Sequence, residues 1–239
     1  MVEGASVSER ENIFARIREA LRVPAPRLGQ GGHAAPGGRE RETGLPSPED
    51  QRRVMPAAGA TPEEQWALFQ KNAQDLRADF RLLDTAAGFA DELKKLGAAE
   101  QWKSVATHQG ALTDAATRDL GLPIVRTDAP FDHATLGRCD AGISECDALV
   151  AQTGSVLLTS RSGGRSLSVL PPHHVVLARR AQLVADLPAA FALLRARYGS
   201  GYPSMISLIT GPSRTGDIER ILVLGAHGPK KLTVLCCRD

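Results

Sequence analysis

Residues 209–229 read ITGPSRTGDIERILVLGAHGP. The apolar run Met205–Ile209 that leads into them has the length and character of a buried strand. Gly211, Pro212, Ser213, Arg214 and Thr215 then make a turn, and a short helix is expected from Gly216–Asp217 to Leu224. A strand feeding a helix through small polar residues leaves backbone N–H groups pointing outward, with the helix dipole behind them. That is a ready site for a carboxylate or phosphate. Arg214 is the fork-shaped cation suited to grip such an anion at two points. A second glycine-bearing turn, Gly225-Ala-His-Gly-Pro229, closes the stretch. A plainer reading stands beside this one. Arg214 and Asp217, three apart, pair on the helix surface for only ~0.2–0.5 kcal/mol, and Ser213 or Thr215 is an ordinary N-cap.

Upstream of this stretch, strands and helices alternate. Strands are expected at Ser104–Thr107, Ile124–Val125, Asp140–Ile143, Ala148–Ala151, Ser155–Thr159 and Val175–Ala178, with a last one at Leu232–Cys237. Helices are expected at Ala87–Leu96 (ending at Gly97), Leu112–Leu120 (ending at Gly121) and Ala181–Tyr198, with Asp186 and Pro188 close to the start of the last. Thr61-Pro-Glu-Glu64 is a capping box that opens a helix expected to run to about Asp84 and to bury Trp66, Phe69, Leu76, Phe80 and Leu83. Alternation of this kind means an α/β fold, with a mainly parallel or mixed sheet covered by helices on both faces. Ligands of such folds sit beyond the carboxyl ends of the strands.

Ahead of that domain, the spacing of Ile13, Ile17, Ala20 and Leu21 predicts an amphipathic helix over Ser8–Arg22. Val23–Pro48 is rich in Pro, Gly and charge and reads as a flexible arm. The expected division is therefore an N-terminal helix and arm over 1–48 and an α/β domain over 49–239.

A net charge of +2 is too small to mark nucleic acid or an anionic membrane as the natural partner. Aromatic residues at 4% leave no stacking platform for single strands. No apolar run approaches the ~20 residues of a bilayer span. The opening MVEGASVSERENIF lacks a signal-peptide core, so a cytoplasmic location is expected. Cys139, Cys146, Cys236 and Cys237 match neither a zinc nor an iron–sulfur spacing and read as buried free thiols. No metal is expected on this chain. There is no G-x-G-x-x-G after a strand and no Walker loop.

Three polar turns are candidates for a site. They are Gln152-Thr153-Gly154-Ser155, then Ser162-Gly-Gly-Arg165-Ser166 with Ser168 beyond it, and the opening stretch with Gly211, Ser213, Arg214, Thr215 and His227. If they converge, Thr153, Gly154, Ser155 and Arg165 join that last group around a small anion. His227 is the candidate for proton exchange near neutrality, and equally a histidine hydrogen-bonded at its turn. Period-2 alternation sends His173 and His174 to opposite sheet faces, so at most one of them faces any one pocket. Glu145 and Asp147 read as a solvated face.

In this order, five blocks resemble the LUD-domain family, nearest its lactate-utilisation protein C type. They are Asp140-Ala-Gly-Ile-Ser144, Ala148-Leu-Val-Ala-Gln-Thr-Gly-Ser155, Arg165-Ser-Leu-Ser-Val-Leu-Pro-Pro-His-His174, Ile209-Thr-Gly-Pro-Ser-Arg-Thr-Gly-Asp-Ile-Glu219 and Leu224-Gly-Ala-His-Gly-Pro229. The likeness spans roughly Trp66–Cys237. It implies a Rossmann-like sheet of the group that holds glucosamine-phosphate isomerase, ribose-phosphate isomerase and CoA-transferases. It also implies membership of a three-protein system oxidising L-lactate to pyruvate, in which the two sister subunits carry the iron–sulfur clusters and this type of subunit has none. Two departures stand out. Many relatives have an acidic residue where this chain has Gln152, and an amide cannot exchange protons near neutrality. Ser144-Glu145-Cys146 differs from the Thr-Gly-Ala of relatives. The expected function is thus a subunit of lactate utilisation that binds a small anionic ligand. The alternatives are a stand-alone enzyme on a phosphorylated sugar or CoA thioester, and a docking module acting through the N-terminal helix.

Overall fold

The computed structural model describes residues 9–22, 56–215 and 223–239. By its internal contacts the chain divides into residues 1–55 and 56–239. In the first unit, helix α1 (Glu9–Arg22) forms where the apolar spacing places it, with Ile13 and Phe14 exposed. The expected arm at Val23–Pro48 lies outside the described residues.

The second unit opens with α2 (Pro62–Asp75). Thr61 Oγ1 accepts from the Glu64 N–H while Glu64 Oε2 accepts from the Thr61 N–H, which is the capping box read from the sequence. The helix stops short of Asp84. Arg77 takes left-handed backbone (φ 65°), and the N–H groups of Arg77 and Ala78 turn back onto the carbonyls of Gln74 and Ala73. That is a Schellman closure with arginine where glycine is usual. The remainder of the expected helix is strand β1 (Asp79–Leu83), drawn out by pairing with the last strand of the chain. Trp66 is the core anchor it was expected to be, packed with Phe69 and Phe80 at ring distances of 6.0 and 5.5 Å. Helix α3 (Gly88–Ala99) runs through Gly97 without stopping. That glycine lies under Trp102, whose ring an added Cβ would meet at 3.3 Å, so its smallness serves packing and not chain termination.

Next come β2 (Val105–Thr107), α4 (Ala111–Thr117), β3 (Ile124–Arg126), α5 (His133–Gly137) and β4 (Ala141–Glu145). Then follow β5 (Ala148–Val150), β6 (Ser155–Thr159), β7 (His173–Arg179), β8 (Leu183–Val184), α6 (Leu187–Tyr198) and β9 (Ile206–Ile209). The chain closes with β10 (Arg214–Thr215), β11 (Val223–Leu224) and β12 (Lys231–Cys237). Helix α6 begins late because Asp186 caps it, accepting from the Ala189 N–H. The helix expected over Asp217–Leu224 needs correcting at its end. Val223 and Leu224 pair antiparallel with Thr215 and Arg214 as a hairpin, and residues 216–222 lie outside the described residues.

The expected α/β architecture is present. Its central sheet is wholly parallel, in the order β1-β12-β7-β4-β2-β3. A parallel sheet needs cover on both faces. Alternation sends Ile143, Val175, Leu177, Leu235 and Cys237 to one face, packed with Phe89 and Leu93 of α3 and Leu112 of α4. It sends Val176, Ala178, Val234 and Cys236 to the other, where Trp66 and Phe69 of α2 share the cover with Leu149 and Val156. The second face is thus roofed partly by a small sheet, β8-β5-β6-β9, where helices alone were expected. All four cysteines are free and buried. Burial raises each thiol, Cys236 to about 12 and Cys237 to about 11, so none is a ready nucleophile.

Candidate functional site

Strand β9 belongs to the small sheet, paired antiparallel with β6. Its carboxyl end therefore delivers the 210–213 turn to the amino ends of β7 and β12, not to the carboxyl ends of the parallel sheet. Gly211, at φ 84°, lets this turn press on the end of α2, since an added Cβ would lie 2.6 Å from the Leu76 carbonyl oxygen. Ser213 N–H donates to the Pro229 carbonyl at 2.9 Å, and Gly225 N–H donates to the Ser213 carbonyl at 2.9 Å. These bonds tie the Gly-Pro-Ser turn to the Gly-Ala-His-Gly-Pro turn. Lys230 N–H donates to the Pro172 carbonyl and brings in the loop that ends at β7.

A cavity of about 210 Å³ opens where these segments meet. Its polar lining comes from Ser168, Ser207, Thr210, Ser213, His174 and His227, and its apolar lining includes Val169, Met205 and Leu232. No lining side chain among the described residues is a permanent charge. Met205, Ser207 and Ile209 reach it together because they alternate along β9, while Leu208 packs behind with α6. His174 is buried, with Nε2 2.9 Å from Ser144 Oγ and Nδ1 without a protein partner. Burial pulls its pKa from 6.5 to about 3, so the ring is neutral.

Of the nine residues expected to bind a ligand, Gly211, Ser213 and His227 line this cavity. The others do not. Ser155 reaches it only from behind, its Oγ 2.8 Å from Thr210 Oγ1 and 2.7 Å from Thr153 Oγ1. Gly154 (φ 65°) is packed on α2, where an added Cβ would lie 2.8 Å from Asn72 and Ala73 backbone atoms. Asn72 Nδ2 fastens this turn by donating to the carbonyls of Ala151 and Gln152. Arg165 spends its guanidinium on the Ser204 carbonyl at 2.7 Å. Arg214 is exposed, and it and Thr215 are held by hairpin pairing outside the cavity wall. Sequence reasoning overlooked Ser207 and Thr210. The period of two along β9 carried the signal for Ser207.

Glu145 and Asp147 are not a solvated face. Glu145 Oε1 accepts from the N–H groups of Leu112 and Thr113 at 2.8 and 3.1 Å, and its own N–H donates to His108 Nε2. His108 then carries its proton on Nδ1 and donates to the Gln109 carbonyl. The chain's own carboxylate thus fills the carboxyl end of β2 and β4, where a ligand was expected. Asp147 is buried and accepts from Arg197 and Tyr198.

His173, one residue from His174, faces the opposite side of the sheet and lines a second cavity of about 200 Å³ with Thr233, Arg77, Arg81, Lys230 and Lys231. Among the described residues no group of three or more His, Cys, Asp or Glu side chains is placed to hold a metal ion. No described helix is long and apolar enough to cross a membrane.

The chain resembles lactate utilization protein C of Deinococcus radiodurans, 31% identical over 62% of this chain and 76% of that one. It is 30% identical to lactate utilization protein C of a Geobacillus strain, over 74% of this chain and 84% of the other. With the protein of the same name from Bacillus velezensis the match is 26% over both whole chains. Among solved structures, a DUF162 family protein from Deinococcus radiodurans superposes with a TM-score of 0.59 at 23% identity, covering 75% of this chain and 99% of that one. The model of the LUD domain matches residues 39–236. This chain belongs to the LUD domain family.

Proposed function

We propose that this chain serves lactate utilisation as a subunit, binding a small carboxylate in the cavity between His174 and His227 and working with partner proteins that carry the iron–sulfur centres. The observation that carries the reading is the lining of that cavity. Four hydroxyls, from Ser168, Ser207, Thr210 and Ser213, stand among apolar walls from Val169, Met205 and Leu232. A short 2-hydroxy or 2-oxo acid has a carboxylate and one further oxygen for such donors and a methyl group for such walls. The neutral imidazole of His174 adds a polar wall without adding charge. His227, exposed at the mouth, is the side chain placed to exchange a proton with solvent. The names of the relatives support the lactate assignment.

Deleting the gene from its host and growing the strain on L-lactate tests the reading. Growth on lactate is expected to fail while growth on pyruvate persists, and the wild-type gene should restore it. A Thr210→Val, Ser213→Ala double variant should restore it poorly. Full growth on lactate without the gene overturns the assignment. Restoration by the double variant as good as wild type overturns the cavity's part in it.

A further inference from the structure

The second cavity lies on the α3 side of the sheet, under the amino ends of β7 and β12. Four cations line it: Arg77, Arg81, Lys230 and Lys231. Two of them are spoken for. Arg81 pairs with Asp79 at 2.7 Å and Glu92 at 3.0 Å, and Lys231 pairs with Glu100 at 2.5 Å. Both carboxylates on the cavity wall, Asp79 and Glu100, are therefore already neutralised. Arg77 and Lys230 have no carboxylate partner among the described residues, so the cavity carries two cationic heads in excess.

Both residues sit in specific backbone arrangements. Arg77 occupies the left-handed position that ends α2, where glycine would sit without strain. A side chain retained at such a position is a pointer to what that side chain does. The stem of Lys230 lies against Gly225, where an added Cβ would come within 2.1 Å of Lys230 Cγ. The backbone N–H of Lys230 is anchored on the Pro172 carbonyl at 2.8 Å. Between them, His173 is 5% exposed and bonds Thr233 Oγ1 through Nε2 at 2.8 Å, leaving Nδ1 without a protein partner. A planar guanidinium and a point-like ammonium, beside the neutral ring of His173, around about 200 Å³ match the several oxygens and double charge of a phosphoryl group.

We infer that this cavity binds a phosphoryl group, free or carried on a small molecule, at a site distinct from the carboxylate cavity on the opposite sheet face. The two cavities share Pro212 and Leu232 as a common wall, so occupancy of one is positioned to alter the other.

Calorimetric titration of the purified full chain with inorganic phosphate and with glycerol 3-phosphate, against chloride at matched ionic strength, tests the inference. At least one phosphate is expected to bind saturably, and chloride is not. Lys230→Ala and Arg77→Gly should each weaken that binding at least tenfold. The glycine variant relieves the left-handed strain and should melt no lower than wild type, which separates lost binding from lost folding. Affinity for glycerol 3-phosphate tenfold above that for inorganic phosphate would mark a phosphorylated molecule as the ligand, and equal affinities would mark phosphate itself. No saturable binding, or variants that bind as wild type does, overturns the site. Growth on lactate does not enter this measurement, so the two readings fail separately.

Discussion

His173 and His174 are neighbours in sequence and open onto two unlike cavities. On one face of β7, His174 meets hydroxyls and apolar walls with no permanent charge. On the other, His173 meets two arginines and two lysines. Both rings are kept neutral by burial, and both use Nε2 on a hydroxyl, Ser144 Oγ for His174 and Thr233 Oγ1 for His173. The difference lies in what stands opposite. His174 looks across to β9 and the 210–213 turn, whose residues are uncharged, whereas His173 looks toward the ends of α2 and α3, where side chains are long and ionised. A strand periodicity of two thus gives one short segment a place in two chemically distinct sites.

Acid breaks both sides of the comparison at once and has the largest expected effect. Burial lowers His173 from 6.5 to about 4 and His174 to about 3. The unfolded chain therefore binds more protons than the folded one below pH 6.5, and stability falls as pH drops through that window. Between pH 6.5 and 5 each ring accounts for up to ~2 kcal/mol, read as a lower urea midpoint at the more acid pH. A His173→Gln, His174→Gln double variant should lose most of this pH dependence above pH 5, where carboxylates are still mostly ionised.

Gly142→Ala strikes one side only. Gly142 lies beside His174 in the register of β4 on β7, and a Cβ there would sit 2.5 Å from the Leu167 carbonyl oxygen and 3.1 Å from Pro171. The loop bearing Ser168 and Val169 has to move. A loss of ~1–3 kcal/mol in urea unfolding is expected. Carboxylate binding beside His174 should weaken with it, and phosphate binding beside His173 should hold.

Much of this arrangement was legible in the chain. The capping box at Thr61 and the alternation at His173-His174 are local, and local chemistry decides them. What escaped is set by partners far away in sequence. Asp79–Leu83 looks helical until β12, some 150 residues later, pairs with it. Gly97 reads as a helix end unless the ring of Trp102 is known to lie on it. Arg214 and Arg165 are the obvious grips for an anion by residue type, yet hairpin pairing and the Ser204 carbonyl hold them elsewhere. Arg77 hid for the opposite reason, since a rule that reserves its backbone position for glycine draws attention away from arginine. Glu145 and Asp147 read as surface charges because their donors lie on α4 and α6 and not beside them in sequence.

The smallest expected effect is the difference between two variants that each remove the hydroxyl under one ring, and it sharpens the comparison most. Thr233→Val keeps the shape of its side chain, and Ser144→Ala removes a single oxygen. Each leaves a buried imidazole nitrogen without its hydrogen bond, at a cost of ~1–3 kcal/mol where the nitrogen stays dry and less where water reaches it. After either change neither nitrogen of the ring has a protein partner, since Nδ1 of both histidines already lacks one, but His174 is only 1% exposed. His173 is 5% exposed and borders a cavity lined with charged, well-hydrated groups. Ser144→Ala should therefore lower the urea midpoint more than Thr233→Val does. Equal losses would mean that the two rings sit in equally dry surroundings, and the contrast between the cavities would then stop at their rims.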